Sequence, residues 1–544
     1  MCLHRQGYNR NIWSLPVRHL LITSLLISLV TTSCGTTPTL WGTYDTPTPE
    51  LSPTSLTKMV ATPTLSHTPL ETPTMPSTVT AEATPTEPTL AAMTTDIAPI
   101  DTPTSGIPPI LYYTQSGDTL SAVAARFGID VSEFVSPPVH AETSLINPGA
   151  LLVIPDRLTE NITPSQSILP DCEFVYSASA LGFDSDAFIE DAGGYLSKYK
   201  EYLGSTGWAT GAGIIDRLAL DNSINPRLLL AVLEYESKWV SGQPANFVQT
   251  DYPLNYPNIR YKGLYSQMAW AVQQLSVGYY GWRSGTLTEF TFPDGTGLRF
   301  APGLNAGSVA LQYFFSRRHN ISEWAKIMDA DTGFPALYGQ LFGDPWARAQ
   351  VIEPLFIPDL TQPTLVLPFE PKREWNYTGG PHPVWGHEGA WAALDFAPST
   401  DTGGCDESEK WVIASWPGLV VRSGEGVVVL DLDGDGREQT GWDLFYMHVA
   451  TKDRVPLGTW INTDEHIGHA SCEGGVTTGT HVHFARKYNG EWILADGPMP
   501  FILSGWIAHA GEKPYEGTLI KGDQTIIADP YGNAKAIIIR SPDE

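Results

Sequence analysis

The spacing of apolar positions changes repeatedly along the chain, and each change marks a different kind of segment. An apolar run, LLITSLLISLV at 20–30, comes first; at eleven residues it is too short to span a bilayer as a stable helix. From 35 to 110 the pattern vanishes into Thr/Pro-rich sequence such as TPTPELSPTSLTKMVATPTL, which lacks the large apolar residues for a core and predicts a disordered or polyproline-like tether. Residues 111–157 regain order. LYYTQSGDTLSAVAARFGID reads as strand, turn and helix, with Asp118 or Thr119 as cap and Leu120, Val123, Ala124 and Phe127 as the apolar face; SLINPGALLVIP closes the unit with a turn and a strand. Residues 170–358 are mostly helical: GAGIIDRLALDNSINPRLLLAVLEYESKWV holds two amphipathic segments divided at NSINP, where Asn222 or Ser223 ends or caps and Pro226 suits a first helical turn. From 365 to 515 the period drops towards two, in WVIASWPGLVVRSG, GVVVLDLDGDG, WDLFYMHVA and HVHFARKYNGEW, which predicts an antiparallel all-β domain. The tail, 516–544, reads as two or three short strands packed on that domain as an appendage. The fold class is therefore multidomain: a small α+β module, a mostly α domain and an antiparallel all-β domain.

Composition narrows the setting. The 544 residues suit two to four domains. A net charge of -27 excludes nucleic acid and anionic lipid surfaces as partners, because phosphate binding needs clustered Lys and Arg. Arg5, Arg10 and Arg18 precede the first apolar run and TTSC follows it, so residues 1–34 read as an export signal. The TTSC segment is similar to a bacterial lipobox, which makes Cys34 the lipidated residue; Thr31 stands where Leu is usual. Removal of 1–33 takes three arginines and no acids, which brings the mature chain to about -30. Besides Cys2 and Cys34 in the signal, the cysteines are Cys172, Cys405 and Cys472, free to pair outside the cytoplasm.

The candidate chemistry concentrates in the β domain. Seven of the thirteen histidines fall between 382 and 483, which points to a site. In GTHVHFARK, strand alternation puts His481 and His483 on one face and Val482 and Phe484 on the other, so two imidazoles can serve one centre. Asp395, in LDFAP, is a candidate metal ligand, with His382 or His387 as its partner upstream. His466 and His469, in DEHIGHASC, read as loop histidines. Asp431, Asp433 and Asp435 followed by Gly436 resemble the opening of a calcium loop, but its twelfth position is Trp442 rather than Glu, so the stretch reads as a hairpin tip. Cys405 and Cys472 flank this same candidate catalytic domain and are the expected disulfide, with Cys172 left over.

Three resemblances to known families bear on function. SGDTLSAVAARFGI with INPGALLVIPD resembles the LysM module, a β-α-α-β unit that binds N-acetylglucosamine polymers; the resemblance implies a glycan groove lined by Gly117, Asp118, Thr119, Leu120, Asn147, Pro148 and Gly149, although SPPVHAETS departs from the usual second helix. INPRLLLAVLEYESKW resembles the lytic transglycosylase and lysozyme-like superfamily, whose Glu-Ser pair would be Glu236 and Ser237, with Glu236 a proton donor of raised pKa to a glycosidic oxygen. The spacing of Gly263, Leu264 and Gln267 is broken relative to that family by an insertion. Finally, GGPH with LDFAP, LFYMHVA and SCEGGVTTGTHVHFARK resemble the beta-lytic and lysostaphin-like zinc metalloendopeptidases. In the lysostaphin-like branch a histidine lies four residues before the Asp, and here that position is Trp391; in the beta-lytic branch the histidine follows Gly-Gly thirteen residues before the Asp, which is His382. The resemblance thus implies Zn²⁺ on His382, Asp395 and His483, with His481 as general base and His448 at the oxyanion, two roles that are interchangeable. The expected function is that of an exported zinc endopeptidase cleaving peptidoglycan stem or cross-bridge peptides, held to glycan by the LysM module and either anchored to the membrane through Cys34 or, after ordinary signal cleavage, secreted to the cell wall. The alternatives are a non-catalytic wall-binding scaffold or amidase activator, and a muralytic glycosidase using Glu236.

Overall fold

A computed structural model of the protein describes residues 108–135, 144–158, 161–399, 403–406 and 408–543. The signal segment 1–34 with Cys34, the tether up to residue 107, and most of the stretch SPPVHAETS lie outside the described residues. Among the described residues no helix is long and apolar enough to cross a membrane.

The small module pairs strands Ile110–Tyr113 and Leu151–Ile154 antiparallel, Ile110 opposite Ile154. Between them runs the helix Leu120–Phe127. Thr119 is its cap: the hydroxyl accepts the Ala122 N–H at 3.1 Å. Asp118 has a different task. It is buried and takes the Arg126 guanidinium at 2.6 Å and the Tyr112 hydroxyl at 2.6 Å, a local ion pair under the core of Tyr112, Val123, Phe127 and Leu152.

In the helical domain, Gly211–Asn222 ends at Ser223, whose φ of 53° turns the chain, and Asn225 caps Pro226–Ser237, with Pro226 in the first turn. The long helix Leu264–Ser284 crosses Ala306–Ser316 closely; a Cβ at Gly278 would come within 2.7 Å of the Ala310 Cα, so only glycine permits the approach.

The β domain is built on a nine-stranded antiparallel sheet. Its path runs Trp460–Ile461, Gly418–Gly424, Val427–Asp431, Trp442–Met447, Val482–Tyr488, Trp391–Pro398, Glu374–Pro383 and Ile537–Ile539, with Glu491–Trp492 paired beside Val482–Tyr488. Side chains alternate between two apolar layers. Leu394, Phe396, Val428, Leu444, Tyr446, Val482 and Phe484 face one core with the C-terminal strands. Ala393, Val427, Val429, Phe445, Met447 and Ala485 face the other, which is continuous with the core of the helical domain. Asp395 and His483 follow the second set by parity, so the candidate site shares its sheet face with the helical domain.

Two expectations change. The tail is no separate appendage: Ile502–Leu503, Trp506–Ala510, Gly517–Lys521 and Gln524–Ile527 form one four-stranded sheet across residue 515, and Ile537–Ile539 is the edge strand beside Glu374–Pro383. His466 and His469 lie on a strand, His466–His469, where His466 stacks on Trp411 and His469 packs against the same ring at a tilt. The Cys405–Cys472 disulfide forms and Cys172 is buried and free.

Candidate metal centre

Three strands deliver the donors. His382 lies near the end of Glu374–Pro383, Asp395 within Trp391–Pro398, and His483 at the start of Val482–Tyr488; Asp395 and His483 are direct cross-strand partners. All three are buried. His382 Nε2 is 3.0 Å from His483 Nδ1 and 3.3 Å from Asp395 Oδ1, and His483 Nδ1 is 3.1 Å from the same oxygen. His387, the other candidate, is exposed in the turn after the first strand and stands outside this group.

The donor chemistry suits a cation. A backbone carbonyl only accepts, so the 2.7 Å contact from His382 Nδ1 to the Gly380 oxygen puts the proton on Nδ1 and leaves the Nε2 lone pair facing Asp395. His483 turns Nδ1 to the same point, and its Nε2, on the other side of the ring, is buried with no hydrogen-bond partner. Two imidazoles and a carboxylate thus converge on one point in a buried setting. A tetrahedral zinc ion with bonds of about 2.0–2.1 Å needs donors roughly 3.3 Å apart, which the three distances approach. The local fields agree. Burial alone would raise the Asp395 carboxyl, but His382 and His481 outweigh it and hold the group well below the usual carboxylate range. Burial pushes His483 down to about 4, against the opposing pull of Asp395.

Two more histidines border the triad. His481 Nε2 is 3.6 Å from Asp395 Oδ1, and its Nδ1 bonds the Gly479 oxygen at 2.8 Å. His448, at φ 65° just beyond Trp442–Met447, bonds the Glu473 oxygen through Nδ1 at 2.7 Å. The two rings are 4.4 Å apart. Each therefore carries its proton on Nδ1 and presents a bare Nε2. Burial, then the neighbouring His481 and His483, hold His448 at about 3, so it is a neutral imidazole.

Sequence reading missed several supporting residues. A Cβ at Gly379 would meet Asp395 Oδ2 at 2.6 Å, and one at Gly380 would collide with the Glu516 backbone, so the Gly-Gly before Pro381 and His382 is a steric requirement that the motif carried but spacing alone did not explain. Tyr515, the last residue of the expected domain, stacks on His382 at 4.0 Å; nothing local in the sequence announces it.

The other candidates lie elsewhere. Glu236 ends its helix with a side chain 4 % exposed, paired with Arg318 and 3.6 Å from His319 Nε2. Burial would raise its carboxyl, but Arg318 and His319 prevail and its pKa is lowered, the reverse of the shift expected for a proton donor. Of the seven expected glycan contacts, Asp118, Thr119 and Leu120 are buried within the small module. Gly117 abuts Arg283, and Asn147 exchanges hydrogen bonds with Asp359 of the connector, at 2.9 and 3.2 Å. Gly117, Asn147 and Pro148 line a cavity of about 530 Å³ shared with Phe356, Pro363 and Met499.

Comparison with known proteins places these features among relatives. A family model described as the LasA N-terminal domain matches residues 167–355, the helical domain. Protease LasA of Pseudomonas aeruginosa is 25% identical over 351 residues, covering 60% of this chain and 75% of the relative. The beta-lytic metalloendopeptidase of Lysobacter enzymogenes is 27% identical over 154 residues, covering 28% of this chain and 83% of the relative. Among solved structures, the deep-sea M23 metalloprotease pseudoalterin is 22% identical with a TM-score of 0.26, over 31% of this chain and 96% of its own. In sequence, then, the chain is similar to the LasA and beta-lytic metalloendopeptidases, and its helical region to the N-terminal domain of LasA.

Proposed function

We propose that this protein is a cell-wall hydrolase whose β domain cuts the peptides of peptidoglycan, in stem or cross-bridge. Its enzyme class and metal rest on its relatives together with the donor set: it is a zinc metalloendopeptidase. The observation that carries the reading is the convergence of His382, Asp395 and His483 with their donor atoms facing one another. When bound there, zinc supplies Lewis acidity to the scissile carbonyl and acidifies water. The chain's own residues do the rest. His481 accepts a proton at Nε2, held ready by the Gly479 carbonyl on its other nitrogen. His448, also oriented through Nδ1, presents its Nε2 beside it, and the two histidines can exchange the roles of proton acceptor and of neighbour to the carbonyl oxygen.

The remaining modules serve delivery. Residues 1–34 export the chain, Cys34 anchors it to lipid, and the LysM-like module holds glycan, with a sugar unit entering the cavity beside Asn147 and Pro148. The helical domain is a structural partner of the sheet, and Glu236 is a buried ion-pair residue in it.

Mass spectrometry of peptidoglycan digested with the zinc-loaded protein tests this. New peptide amino termini are expected, lost in His382→Ala together with stoichiometric zinc. His481→Ala should keep the metal and lose about 10²–10⁴-fold in kcat. New reducing ends or anhydro-sugars with intact peptides would move the activity to the helical domain; bound zinc with no cleavage of several wall types would favour a scaffold.

A further inference from the structure

The hairpin between Val427–Asp431 and Trp442–Met447 carries more negative charge than the protein itself answers. Asp431, Asp433 and Asp435 offer oxygens that all lie within 4.8 Å of one another. Two oxygens on one calcium ion, at about 2.3–2.6 Å each, are at most roughly 5 Å apart. Gly436 follows in the left-handed region, at φ 87°, where a calcium loop makes its sharp turn.

A cluster of this kind is often a solvated loop. What sets this one apart is Asp443. It is fully buried, and neither carboxylate oxygen has a hydrogen-bond partner. It is the direct cross-strand partner of Asp431, so its side chain stands on the same sheet face, at the base of the acidic tip. The nearby cations are committed elsewhere: Lys487, its cross-strand partner on the other side, gives its ammonium to Glu438 at 2.8 Å, and Arg422 holds the same Glu438 at 2.9 Å. An unpaired carboxylate in such a place is strongly unfavourable unless it is neutralised.

We infer that the hairpin tip binds a calcium ion through Asp431, Asp433 and Asp435, with Asp443 as the buried counter-charge beneath it. The geometry departs from the EF-hand in one respect. The carboxylate on the returning strand is the thirteenth residue, Asp443, rather than the twelfth, which is Trp442. Without an ion, burial pushes the Asp443 carboxyl well above its usual range, relieved in part by Lys487 and reinforced by Glu438, Asp431 and Asp433, so the alternative is a protonated acid. The returning strand runs directly into His448, and the ion therefore braces the strand that carries a site histidine.

The test uses the zinc-loaded protein stripped of calcium. Terbium luminescence excited through Trp442, the residue before Asp443, should rise saturably and fall on adding Ca²⁺ but not equimolar Mg²⁺. Calcium should also raise Tm by several degrees. Both responses should vanish in Asp433→Asn/Asp435→Asn, whose changes are on the exposed tip. Asp443→Asn should weaken the calcium response as well. The inference is overturned if terbium gives no sensitised signal and calcium leaves Tm unmoved, or if Asp443→Asn raises Tm equally with and without calcium, which marks a protonated acid only.

Discussion

A neutral histidine pinned inside a protein answers to acid. His483 and His448 titrate at about 4 and about 3 in the folded chain, against about 6.5 when unfolded. Between those limits the unfolded chain binds more protons, so stability is complete above about pH 6.5 and falls as the pH drops towards 4 and 3. Asp395, depressed by its histidine neighbours, adds a loss of the same sign at lower pH. Buried acids elsewhere titrate with the opposite sign, so the histidine contribution is read as a difference: in calorimetry of the metal-free protein, the change in Tm from pH 7 to 4 should include a smaller acid loss in His448→Gln than in the unaltered chain. An identical pH dependence in the two proteins would contradict the assigned burial. At this scale much was readable. The alternation in His481-Val482-His483 depends only on strand geometry, and the thirteen-residue step from His382 to Asp395 was carried by a family resemblance. Tyr515 was not readable, because its contact with His382 depends on how a separate sheet folds back.

Elements were legible where local physics dominates. Asn225 and Pro226 open a helix and Ser223 closes the one before, all within reach of the chain's own backbone. The end of the helix Pro226–Ser237 shows where that reading stops: a Glu-Ser pair after an apolar run has the same sequence whether the carboxyl faces a sugar or an arginine. Arg318 comes from the end of another helix, eighty-two residues on, and only packing brings it to Glu236. Removing one member of a buried pair leaves the other charge unanswered, which costs about 3–5 kcal/mol. Glu236→Gln should therefore lower stability by that order in urea unfolding, while peptide cleavage per folded molecule is unchanged. An equally stable variant that had lost glycan cleavage would restore the catalytic reading. The boundary at 515 failed for a related reason: Trp506–Ala510 and Gly517–Lys521 are joined by a short turn, and a turn looks the same within a domain as between two.

The modules that the sequence separates are physically merged. One apolar core runs from Leu228, Met268 and Leu275 through to Phe445, Met447 and Ala485. Arg283, on the long helix, joins Glu491 of the β domain at 2.9 Å and also bonds the Ser116 carbonyl of the small module. Residues 108–543 should accordingly melt in one calorimetric transition with matching van't Hoff and calorimetric enthalpies. Resolved peaks for the helical and β domains would show that the shared core is dispensable. Boundaries of this kind cannot be seen in a linear pattern, because an apolar strand residue reads alike whether its neighbour is a sheet or a foreign helix.

The merged core also has a direction in time. A chain is made from its amino terminus, so the helix Leu264–Ser284 is complete before any strand of the sheet exists. The late-arriving strands find a finished apolar surface against which to register, and a polypeptide begun at residue 364 would have to assemble the same sheet with Phe445 and Met447 facing water.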